Sequence, residues 1–76
     1  MDSTVEIGSN GVVLADAARE LQQAVHDARV AFDCIGLDEV DRAHTHTLMA
    51  RAALDSAENA LRVVLGGEPG GLDAEV

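Results

Sequence analysis

The only cysteine of this chain, Cys34, lies in "DCIGLDEVD", residues 33–41, among Asp33, Asp38, Glu39 and Asp41. A thiol ringed by carboxylates invites two chemical readings, a nucleophile or a metal loop. A reactive thiolate needs a helix N-terminus or nearby cations. Cys34 instead stands at the end of a predicted helix among acids, the reverse of an activating setting. It is expected on the flank or outer face of that helix, in a structural role. A calcium loop needs alternating oxygen ligands, a central glycine and a distal bidentate glutamate. This stretch has neither the spacing nor the glutamate.

The histidines are the other candidates: His26, His44 and His46. In "HTH" the two rings stand about 200° apart around a helix, so they face different ways. A zinc-binding pair on one helix wants a spacing of four. In an antiparallel hairpin turning at Gly36, His26 falls level with Leu48. A histidine of the second helix then approaches it, with Asp27 or Asp41 as helpers. Zinc needs three or four convergent ligands, so the favoured reading makes His46 a packed polar residue. The serines (Ser3, Ser9, Ser56) show no nucleophile elbow. The glycine pairs lack phosphate-loop spacing, and "GGEPGG" follows a helix rather than opening one. No catalytic, cofactor or metal site is expected, and the chain is read as a non-enzyme.

The elements that position these residues are helical. Strong helix formers dominate, with one phenylalanine and no tyrosine or tryptophan. Residues 1–9 read as a flexible N-terminal arm, with Ser9 or Asn10 capping helix one (about 10–35). Its apolar residues Leu14, Ala18, Leu21, Val25, Ala28, Phe32 and Ile35 advance by alternating steps of four and three, a heptad seam. Ala17, Ala24 and Ala31 run beside it and would let a neighbouring helix come close. Arg19, Glu20, Gln22, Gln23, His26, Asp27, Arg29 and Asp33 form the face expected to meet solvent.

The opening stretch then reads as a bend. Gly36 is expected to take the left-handed conformation that closes a helix, with Leu37 packing back onto Phe32. Asp38 is expected to cap helix two (about 38–65), with Glu39 and Asp41 in its first turn. The second seam is Val40, Ala43, Thr47, Ala50, Leu54, Ala57, Leu61 and Val64, flanked by His46, Ala53 and Ala60. Gly66 and Gly67 end that helix, and residues 66–76 read as a flexible acidic tail.

The fold class is therefore all-α: an antiparallel two-helix hairpin over 10–65. Chains of this size are marginally stable alone and need a staple. One cysteine makes no internal disulfide, which leaves self-association. Two hairpins paired by a two-fold axis form a four-helix bundle. The two seams together form the expected homodimer interface.

Charge narrows the partners. Fourteen acids against five arginines, with no lysine, give −9. Such a chain repels nucleic-acid phosphates and anionic membranes. The N-terminus "MDSTVEIGSN" is acidic and lacks the apolar core of a secretory leader. A cytoplasmic location is expected, in keeping with a lone free thiol. Off-seam apolar residues on helix two, namely Leu48, Met49, Ala52 and Val63, with Asp55, Glu58 and Arg62 as a polar rim, form a candidate partner surface.

These features fit a non-enzymatic helical interaction module, an adaptor or regulator acting as a homodimer on a protein partner. The alternative is a mobile-element-encoded inhibitor of the anti-CRISPR or anti-restriction kind. It would occupy a basic nucleic-acid-binding surface of its target by charge mimicry.

Overall fold

The computed structural model describes the backbone of residues 2–66 and the side chains of residues 10–66. Two helices pack into an antiparallel hairpin, α1 (Asp2–Gly36) and α2 (Val40–Val64). The expected tail beyond Gly66 lies outside the described residues. Helical backbone continues through the segment read as an arm, so Ser9 and Asn10 lie within α1 rather than at its cap. Nothing in residues 2–35 forbids this: the one proline of the chain is Pro69, and glycine weakens a helix without breaking it.

Alanine builds the hairpin core. Ala17, Ala24, Ala31 and Cys34 of α1 are buried, as are Ala43, Ala50, Ala53 and Ala57 of α2. Ala24 lies roughly level with Ala50, Ala31 with Ala43, and Ala17 with Ala57. The small-residue rows expected to flank a seam are therefore the contact itself. Side chains no larger than a methyl let two backbones approach closely along most of this line. The sole fully buried larger side chain among the described residues is Asp27.

The bend differs from the sequence reading in each of its parts. Gly36 is the last residue of α1, and Asp38 takes the left-handed conformation at φ 64°. The Glu39 amide donates to the Cys34 carbonyl at 2.8 Å and the Asp38 amide to the Ile35 carbonyl at 3.0 Å. These two bonds define a Schellman closure with Asp38 at the left-handed site, two residues later than expected. Aspartate tolerates that conformation better than most residues, so the helix runs on through Gly36 and satisfies two more carbonyls. Glu39, not Asp38, stands at the N-cap of α2, and no side chain caps it. The Glu39 carboxylate instead accepts from Arg42 at 3.1 Å. Leu37 does not pack back: it is 68% exposed and Phe32 is 76% exposed. At the far end Gly66, at φ 88°, closes α2 as the sequence implied.

The bend makes a sharp prediction. A Cβ at Gly36 meets nothing within 4 Å, so Gly36→Ala should stabilise the fold by about 0.5 kcal/mol. Asp38→Gly should stabilise as well, whereas Asp38→Val should cost about 1–2 kcal/mol. Denaturant midpoints at one fixed protein concentration would rank the three variants. Damage from Gly36→Ala equal to that from Asp38→Val would place the turn back at Gly36.

Candidate functional site

Asp27 interrupts the alanine core. It is 1% exposed, although its neighbours in sequence place it on the solvated side of the helix. The register brings His46 of α2 level with it, and the His46 Nδ1 donates to Asp27 Oδ1 at 2.8 Å. One turn earlier on α1, Gln23 Nε2 donates to Asp27 Oδ2 at 2.9 Å. Both carboxylate oxygens are thus occupied, and no buried side-chain polar atom among the described residues lacks a partner. The Gln23 hydrogen bond, then the His46 bond, hold the Asp27 carboxyl below its ordinary range, against the opposing effect of burial.

His46 behaves as the packed polar residue the sequence favoured, but its partner is Asp27 and not His26. Among the described residues no three of His, Cys, Asp and Glu converge as they would to hold a metal ion. Cys34, expected on the flank, is 3% exposed and packs between the helices beside the bend. The reason is its register, three residues after Ala31 in the inner row. Sequence periodicity placed the larger apolar residues in the contact, and so pushed Asp27 and Cys34 outward by one row.

The second feature is an open apolar face. On α1, Leu14, Ala18, Leu21, Val25, Ala28, Phe32 and Ile35 are all exposed. Each follows an inner-row position by one residue, or about 100° of rotation. In an antiparallel pair that rotation carries both helices to the same side. On α2 the matching residues are Val40, Thr47, Leu54 and Leu61, also exposed. Thr47 turns its hydroxyl back onto the Ala43 carbonyl at 2.8 Å, which removes the polar group from this face. The other members of the expected α2 seam lie elsewhere. Ala43, Ala50 and Ala57 are buried inside the hairpin, and Val64 is half-buried near its open end.

The candidate partner surface on α2 is divided among several directions. Leu48, Asp55 and Arg62 lie along the outer edge. Met49 and Ala52 line a shallow groove on the opposite side with Glu20, Gln23 and Ser56, above Asp27. Val63 lies on that same side, whereas Glu58 is on the side of the open face and forms an ion pair with Arg62. Arg19 and Arg42 are likewise paired, with Asp16 and Glu39. No helix among the described residues is long and apolar enough to cross a membrane. Comparison with protein-family models, with curated proteins and with solved structures finds no match for this chain.

The clasp should carry a pH signature. A depressed carboxyl pKa contributes stability that is present above the unfolded value, near pH 4, and lost as pH falls through the lower folded value. Asp27→Asn should therefore flatten the loss of stability on acidification from pH 5 to pH 2. His46→Ala leaves a buried carboxylate short of a donor and should lower Tm by at least roughly 4 °C at pH 7. Parallel acid and thermal melts of the two variants check both statements.

Proposed function

We propose that this chain is a non-enzymatic helical interaction module, an adaptor or regulator, that works as a homodimeric four-helix bundle in the cytoplasm. One observation carries the reading: the hairpin buries alanines and leaves Leu14, Leu21, Val25, Phe32, Ile35, Val40, Leu54 and Leu61 exposed. A buried methylene is worth about 0.8 kcal/mol, and a fully buried Leu, Val, Ile or Phe about 1.5–3 kcal/mol. The open face therefore holds more potential stabilisation than the core that is already closed. A second copy of the chain offers a face of the same length and spacing. The acidic outer surface of the assembly is then what a protein partner with basic groups meets.

A second reading is favoured by charge. The net charge is −9, and three of the five arginines are tied to neighbouring acids. A dimer would double that charge on a compact rod. This fits an inhibitor of the anti-CRISPR or anti-restriction kind, which covers a basic nucleic-acid-binding surface of its target by mimicry.

Sedimentation at micromolar concentration should give a dimer, and Leu54→Asp should convert it to monomer while Leu48→Asp leaves it intact. A well-folded wild-type monomer would overturn the reading. Once a partner has been isolated by co-purification, salt separates the two functions. Charge mimicry should weaken about tenfold or more between low and high ionic strength, while binding through an apolar surface should persist.

A further inference from the structure

The open face also specifies how a second copy sits on it, an inference that rests on the homodimer proposed above. We infer that two hairpins pair antiparallel, α1 against α1, about a two-fold axis perpendicular to the helices at the level of Val25.

The first argument is the unequal width of the face on the two helices. The strip of each helix that meets a second layer consists of two rows. On α1 both rows are apolar, Leu14, Leu21, Ala28 and Ile35 in one and Ala18, Val25 and Phe32 in the other. On α2 the first row is Val40, Thr47, Leu54 and Leu61, but the second holds His44, Arg51 and Glu58. An axis running along the bundle would set α1 of one hairpin against α2 of the other. Val25 and Phe32 would then face the partner's Arg51 and His44, and charged groups would be stripped of water against hydrocarbon. The perpendicular axis sets like against like. Apolar α1 meets apolar α1, and the mixed row of α2 stays at the edge.

The second argument is bulk. The α1 strip matches itself when reversed about Val25. Phe32 then lies opposite the partner's Ala18, Leu21 opposite the partner's Ala28, and Ile35 opposite the partner's Leu14. Large residues meet small ones at the inner positions, as close packing of two rigid helices needs. The α2 row reverses about a point between Thr47 and Leu54, pairing those two with each other and Val40 with Leu61. Within one hairpin the register fixed by Asp27 and His46 sets Val25 level with Leu48, about 2.5 residues or roughly 4 Å of helix rise from that point. The wholly apolar α1 strip therefore sets the level of the axis, and the α2 rows pair out of exact reversal. Pairing of like rows is also how the hairpin closes on itself, alanine row against alanine row.

A residue on a two-fold axis meets its own mate. In the full chain carrying Cys34→Ala, Val25→Cys should form an inter-subunit disulfide under mild oxidation. Ala18→Cys alone should not, because the two copies would stand roughly 20 Å apart along the helix. In a second measurement Ala18→Phe should weaken dimerisation about tenfold or more through collision with the partner's Phe32. The Ala18→Phe/Phe32→Ala pair should restore it. A dimer in which Val25→Cys fails to cross-link, or in which the exchanged pair gives no rescue, overturns this arrangement and leaves the homodimer standing. A wild-type monomer by sedimentation overturns both.

Discussion

The contact between the two alanine rows is the constraint on which the rest of the hairpin depends. Ala17, Ala24 and Ala31 of α1 and Ala43, Ala50 and Ala57 of α2 are all buried, and the larger buried groups are Cys34 beside the bend and the Asp27 carboxylate. Because the inner rows are small, the larger residues of the heptad pattern other than Val64 are displaced by one row to the outside. The molecule therefore has two unlike apolar surfaces: a narrow closed one within the chain and a broad open one across it. Overfilling the first would separate the helices, and leaving the second uncovered would forfeit most of the hydrophobic stabilisation the sequence carries.

The Asp27–His46–Gln23 cluster has a place in the same logic. An alanine row is nearly featureless, and one helix sliding by a heptad along the other would lose little contact. A buried carboxylate with both oxygens bonded to named partners makes every other register expensive, since it would leave a charge in hydrocarbon without donors. The clasp thereby favours one register. That register sets which residues of α1 and α2 lie side by side on the open face.

Several features were legible in the sequence because they follow from local periodicity. The two helices, their antiparallel order, the small-residue rows and the glycine at the end of α2 all follow from steps of three and four and from turn chemistry. What was misassigned follows from one ambiguity. A heptad pattern with two adjacent apolar rows does not state which row faces the neighbouring helix of the same chain. The larger residues were read as the contact, and with that choice Asp27 and Cys34 were placed outside. The bend was misread for a related reason. Glycine is the usual left-handed residue, but Asp38 also accepts that conformation, and two further backbone hydrogen bonds close when the helix continues to it.

By itself the sequence determined the class of the fold, the length and spacing of the apolar strips and the strong negative charge. Those properties belong to single helices and to composition, and they hold wherever the helices go. Only the tertiary structure decided which strip is inside. That choice depends on how closely two backbones approach, and side-chain size sets the approach only when both helices are present. It also decided that Asp27 is a buried partner of His46 rather than a surface acid, because the pairing joins residues that are distant in sequence and become neighbours only through the bend.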